Sequence, residues 1–162
     1  MERQDKFNYY LDIAETVLSR STCLRRSFGA IIVKDDIIVS TGYNGAPRGR
    51  KNCNDLGFCI REKLAIPRGE RYELCRSVHA EANAIIAAPR VQMLGADLYL
   101  ACKDSVTGEI MSGTSSCSMC KRLVINAGIT RVIVRETASE YTIYNVLDWI
   151  ENDESVSGSF GY

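Results

Sequence analysis

The chain contains a single histidine, His79, so any chemistry that needs an imidazole has to be built around it. His79 opens the run His79-Ala-Glu81-Ala-Asn-Ala-Ile85, and much further on Cys117-Ser-Met-Cys120 opens a second run. Both stand at the start of segments with helical apolar spacing. In a helix, residues three apart share a face, so both sulfurs can reach one ion. Thiolates near a helix N-terminus are also favoured by the helix dipole. One imidazole and two thiolates make three ligands where zinc takes four. A fourth position left to water distinguishes a catalytic site from a closed structural one. The pattern therefore demands a fold that brings two distant helix starts to one point. Glu81, two residues past the histidine, falls beside the water position and is not counted among the ligands.

A length of 162 residues suits one compact domain. We expect it to span residues 1–151, with the serine- and glycine-rich residues 152–162 as a flexible tail. Hydrophobic residues make up 46% of the chain, enough for a packed core. The formal net charge of zero argues against long nucleic acid held by bulk charge, yet leaves room for a small anion held by a few arginines. No apolar run is long enough to span a bilayer, and the start lacks a basic stretch followed by an apolar one. The expectation is a cytoplasmic protein with no membrane partner. Seven cysteines in that setting point to metal ligation or buried thiols over disulfides.

Along the chain, Arg3 to Ser19 reads as an amphipathic helix, and Phe28–Val33 with Ile37–Ser40 as a β-hairpin. Gly42-Tyr-Asn-Gly45 carries turn chemistry that would end the second strand. Asn44 to Arg76 is irregular. So long a loop needs something to tie it down, or a short helix around Ile60 to Leu64. Ser77 to Ala88 reads as a helix capped by Ser77 and stopped near Pro89. Then follow a strand (Ala96–Ala101), a loop or small hairpin around Thr107-Gly108, a helix (Cys117–Ala127) ended by Gly128, a strand (Thr130–Val134) and a last helix (Tyr144–Glu151). The alternation in the second half implies parallel strands with crossover helices. The expected fold class is α/β, a three-layer α/β/α sandwich around a mixed sheet.

H-x-E followed by P-C-x-x-C is the signature of zinc deaminases. Here Ser116 stands where proline is expected; the proline helps start the helix but is not a ligand. With Arg20-Ser-Thr-Cys23, Arg25, Gly29-Ala30, Gly42-Tyr43-Asn44-Gly45, Cys53 and Asn126-Ala-Gly128-Ile129, the sequence resembles the cytidine and deoxycytidylate deaminase superfamily over about Phe7 to Val134. Its likeness is greatest to the deoxycytidylate (dCMP) deaminases. The resemblance implies a cytidine deaminase-like fold and hydrolytic attack at C4 of a cytosine ring, most readily dCMP to dUMP with release of ammonia. It implies a catalytic zinc on His79, Cys117 and Cys120, with Glu81 moving the protons. Asn44 would meet the sugar, and Arg25 with Arg26 the 5′-phosphate; Ala80 and Ser116 are expected at the substrate as well. It further implies a homo-oligomer, hexamer or dimer, and regulation by dCTP and dTTP, with residues 42–45 resembling the part associated with effectors. From the residues alone, the arginines read equally well as a solvated face, and Asn44-Gly45 as a turn pair.

Cys23, Cys53, Cys59 and Cys75 flank or lie within the irregular loop. Four thiolates could close a structural zinc and restrain it. The resemblance supports this for Cys23 and Cys53; the competing reading is four buried thiols. Cys102 reads as a core thiol. Two other functions compete: a superfamily deaminase acting on a different nucleoside, base or nucleotide, and a non-catalytic zinc module that binds a partner. The second would leave Glu81 with no task. Residues 103–116 form a longer segment than the family's usual pattern, and we expect this loop to border the pocket.

Overall fold

The computed structural model describes residues 1–153. Helix α1 (Lys6–Leu18) starts at Asp5, whose carboxylate accepts the backbone N–H groups of Phe7 and Asn8. Strands β1 (Arg26–Lys34) and β2 (Ile37–Tyr43) form the expected antiparallel hairpin. Asp35 and Asp36 turn it with φ of 50° and 64°, the left-handed pair that a tight hairpin turn requires. Two single-turn helices follow, α2 (Cys53–Leu56) and α3 (Ile60–Lys63). Then come α4 (Ala80–Ile86), α5 (Arg90–Met93), β3 (Asp97–Asp104) and α6 (Ser118–Ala127). The last three elements are β4 (Arg131–Arg135), β5 (Tyr141–Asn145) and α7 (Val146–Asn152).

The sheet runs β2-β1-β3-β4-β5. Strand alternation sends side chains to two covered faces. On one face, Ile31, Val33, Tyr99 and Ile133 pack against Tyr10 and Leu11 of α1. On the other, Ala30, Ile32, Leu98, Leu100, Val132 and Val134 pack under Ala80 and Ala84 of α4, Val124 and Ala127 of α6, and Val146 and Trp149 of α7. This is the expected α/β/α sandwich with a mixed sheet. Only β3 and β4 are parallel; the other three pairings are antiparallel. Helix α1 is also locked to β4 by Arg135, which is wholly buried and pairs with Glu15 at 3.0 Å and with Asp12.

Two glycines let helices lie directly on the sheet. A Cβ on Gly29 would fall 2.1 Å from the Ala14 carbonyl oxygen of α1. A Cβ on Gly42 would fall 2.3 Å from the Ala80 carbonyl oxygen and 2.4 Å from the Ala84 nitrogen, both in α4. Ser40 Oγ donates to Ala84 O at 2.7 Å and Asn83 Nδ2 to Tyr43 O at 2.8 Å, fixing the same contact from the sides. This corrects the turn reading of residues 42–45. Gly42 and Tyr43 are inside β2, paired with Ala30 and Gly29, and the glycine serves helix approach.

Other local expectations shift for physical reasons. Ser77 does not cap α4. Val78 is held extended by an antiparallel bridge to Gly45, so the helix cannot begin until Ala80, with His79 at its cap position. The last helix, expected from Tyr144, begins only at Val146; Tyr144 and Asn145 belong instead to an edge strand, Tyr141–Asn145. Gly128 ends α6 with φ of 82°, as expected. Of the expected flexible tail, Asn152 closes α7 and Asp153 pairs with Lys121; residues 154–162 lie outside the described residues.

Because the atoms opposing a Cβ at Gly42 are backbone, they cannot rotate aside. Gly42→Ala is expected to lower the unfolding free energy by about 1–3 kcal/mol, the usual cost of overpacking. Urea denaturation measures it, and an unchanged midpoint would mean that α4 is free to slide.

Candidate active site

Two helix starts converge above the sheet. Helix α4 presents His79 at its cap position with Ala80 and Glu81 in its first turn. Helix α6, packed beside it, presents Cys117 at its cap position and Cys120 in its first turn. His79 Nδ1 lies 3.4 Å from Cys117 Sγ and 3.4 Å from Cys120 Sγ. A tetrahedral zinc with ordinary Zn–N and Zn–S bonds separates its nitrogen and sulfur ligands by about 3.5 Å. The donor set therefore fits zinc in both kind and spacing. Among the described residues, this is the one group of three or more such side chains whose donor atoms lie within 4.8 Å of one another.

The electrostatics agree with a cation here. The hydrogen bond from Cys120 holds the Cys117 thiol well below its ordinary range, with His79 adding to the effect, and Cys120 is pushed up in return. Burial opposes a charged His79. Hydrogen bonding to Cys117 and Cys75 and the nearby Glu81 charge outweigh it, raising the imidazole to about 10. Glu81 is almost fully buried, and burial pushes its carboxyl up, with the His79 charge partly offsetting it. The Ser116 hydroxyl stands next to Glu81 and favours its charged form, but falls short of hydrogen-bond geometry.

The cavity opening onto this centre is lined by Ala80 and Glu81 and by three further walls. The first holds Arg25, Arg26, Phe28 and Asn44. Arg25 Nε pairs with Glu62 at 3.0 Å. Asn44 is buried: its Oδ1 accepts from Ser21 Oγ at 2.6 Å and from the Phe28 N–H at 2.9 Å, and its Nδ2 donates to Arg26 O at 2.8 Å. An amide has two N–H groups, so one remains for a ligand. Asn44 is thus a strut between chain segments in addition to a cavity residue.

The second wall is the irregular loop, which contributes Cys59, Arg61, Arg68, Gly69, Tyr72 and Cys75. Its restraint is Arg61. This buried guanidinium donates through Nη2 to Pro67 O at 3.0 Å and Glu70 O at 2.6 Å. It also sits 4.4 Å over the Tyr72 ring. Tyr72 in turn meets the His79 ring edge-on, with centroids 5.2 Å apart. The sequence reading missed Arg61, Arg68 and Tyr72, because an aperiodic loop gives no signal of side-chain direction. The structure does not bring Cys23, Cys53, Cys59 and Cys75 to mutual ligand distance. Cys53 is buried at the start of α2 and feels the other three thiols, while Cys75 stands beside His79. Cys102 is a core thiol, raised to about 12 by burial.

The third wall is the segment after β3. It makes the expected small hairpin, with Gly108 N–H donating to Asp104 O at 2.9 Å and a bridge between Lys103 and Ile110. It then returns over the cavity, where Gly113, Thr114 and Ser115 line it.

With this geometry established, known proteins supply the comparison. The profile described as the cytidine and deoxycytidylate deaminase zinc-binding region matches residues 4–136. A deoxycytidylate deaminase of Mycobacterium phage D29 is 38% identical over 138 residues, covering 82% of this chain and 96% of the phage protein. One from Schizosaccharomyces pombe is 32% identical over 139 residues, covering 86% of this chain but only 38% of the longer yeast protein. The crystal structure of dCMP deaminase from the cyanophage S-TIM5, in complex with dCMP and dUMP, has the same fold. It aligns with a TM-score of 0.56 at 23% identity, over 95% of this chain and 93% of that one.

Zinc must displace the proton that His79 carries below about pH 10, so affinity rises with pH through the neutral range. Competition with a chelator should show zinc held about a hundredfold more weakly for each pH unit lowered between 8 and 6, since His79 and Cys120 each give up a proton. A slope of one proton or none would contradict ligation through His79 together with Cys120.

Proposed function

This chain belongs to the cytidine and deoxycytidylate deaminase family, and from that premise we propose that it converts dCMP and water to dUMP and ammonia. The observation that carries the proposal is the His79, Cys117 and Cys120 donor set with a buried, ionisable Glu81 beside it. Zinc bound by three protein donors leaves a position for water and brings that water's pKa to about 7. The residues of the chain do the rest. Glu81 accepts a proton from the water as its oxygen adds to C4 of the cytosine ring, and passes that proton to N3. It then conducts a proton to the departing amine, so that the C4–N bond breaks and C4=O forms with release of ammonia. A carboxylate kept from water, with its affinity for protons raised, suits both halves of this task.

The cationic lining supports a phosphorylated substrate. Arg25, Arg26 and Arg68 meet the 5′-phosphate in this reading, and the uncommitted N–H of Asn44 meets the sugar. Ala80 lines the cavity with the catalytic residues, and Ser116 adjusts Glu81. Residues 1–151 act as one catalytic domain. Cys23, Cys53, Cys59 and Cys75 take a second, structural zinc by closing around it; support comes from their shared neighbourhood and from the absence of disulfides among the seven cysteines. The same unpaired thiols favour the cytoplasm, and no helix among the described residues is long and apolar enough to cross a membrane. Family likeness supports a homo-oligomer and dCTP or dTTP as effectors, and exposed Ile86 and Val91 offer apolar surface for self-association.

Ammonia release from dCMP, CMP, deoxycytidine and cytosine should be fastest with dCMP; preference for the unphosphorylated compounds would remove the phosphate role of the arginines. Glu81→Gln is expected to reduce turnover by at least about 10²-fold while retaining zinc. A non-catalytic zinc module would have no activity to lose. Metal analysis should give two zinc ions per chain, falling to one in Cys53→Ser; a single ion in the unaltered protein would restrict zinc to His79, Cys117 and Cys120.

A further inference from the structure

Thr114 is buried, lines the cavity, and its hydroxyl has no hydrogen-bond partner. A buried hydroxyl left unpaired is costly, and in a native protein it calls for a reason. The backbone around it is held in place, which argues against a poorly placed loop. Met111 N–H donates to Cys102 O at 2.9 Å, and Gly113 N–H donates to Glu136 Oε2 at 2.7 Å. Glu136 is itself fixed by Thr142, whose hydroxyl donates to Oε1 at 2.9 Å. Thr114 lines the same cavity as Cys117, which follows it by three residues. The arginines come from the start of β1, from Arg25 just before it and from the irregular loop, on other walls.

We propose that Thr114 is a specificity-determining residue whose hydroxyl hydrogen-bonds the nucleoside part of the bound substrate. The proposal rests on the deaminase reading and adds a contact from the segment after β3. The hydroxyl is held ready without a partner, and the substrate supplies one. It serves as donor or acceptor, so it suits a carbonyl oxygen, a ring nitrogen or a sugar hydroxyl. A substrate whose edge lacks such a group leaves it unpaired, which is how a buried polar group discriminates.

Thr114→Val keeps the shape and removes the hydroxyl. With dCMP as substrate it is expected to lower kcat/KM about tenfold, the worth of one hydrogen bond. Zinc content should be unchanged, and the Tm equal or higher because an unpaired buried group has gone. Thr114→Ser, which retains the hydroxyl, should stay within about threefold of the unaltered enzyme. Thr114→Ala gives the same comparison if the valine variant does not fold. Inhibition by inorganic phosphate should be the same in all of them. Full activity in Thr114→Val, or equal losses in the serine and valine variants, would overturn the assignment. So would a parallel loss of phosphate inhibition, which would place the hydroxyl at the phosphate. Lack of pyrimidine deamination in the unaltered enzyme would instead reject the function on which the proposal rests.

Discussion

The site depends on helix α4 lying against β2 with no side chain between them. At Gly42 the separation is too small for even a methyl group, and hydrogen bonds from Ser40 and Asn83 hold the helix on either side of the contact. That contact sets the height of His79 and Glu81 above the sheet. Helix α6 then packs beside α4 and over the same face, which brings its first turn to the histidine. Without the close approach, the histidine of one helix and the two cysteines of the other would lie at different levels.

The His79, Cys117 and Cys120 cluster was legible in the sequence because side-chain spacing on a helix is local. Three-residue spacing places Cys117 and Cys120 on one helical face wherever that helix goes. The three-layer architecture was legible for a related reason: hairpin chemistry at residues 34–36 and helical periodicity in α1 and α6 need no knowledge of distant partners. Gly42 shows where that reasoning stops. Next to Tyr, Asn and a second glycine it has the composition of a turn, and only the helix above it shows that it is a packing position. Strand β5 was missed for a similar reason, since a partly exposed edge strand is defined by its neighbour β4 more than by its own pattern.

The cavity walls were the least legible part. Arg61 lies in a stretch of glycine, proline and charge, yet it is buried, with Nη2 held by two carbonyls and the guanidinium over an aromatic ring. None of those partners is visible in a spacing pattern. For Asn44 the sequence offers a turn residue and a sugar contact, two readings that can hold together. Asn44 proved to be a strut whose amide joins three segments and still keeps one donor.

The Arg61 knot is also notable for how short a stretch of chain it uses. Its partners, Pro67, Glu70 and Tyr72, all lie within a dozen residues of it, so this wall is organised largely by its own sequence, with Glu62 on Arg25 and Tyr72 on His79 tying it to the rest of the fold. Floor and wall therefore answer to different constraints. A helix resting backbone to backbone on a strand has almost no tolerated alternatives, whereas a self-knotted loop can be exchanged as a unit provided that its guanidinium and ring are kept. Diversification of such a pocket is open along its walls and closed at its base.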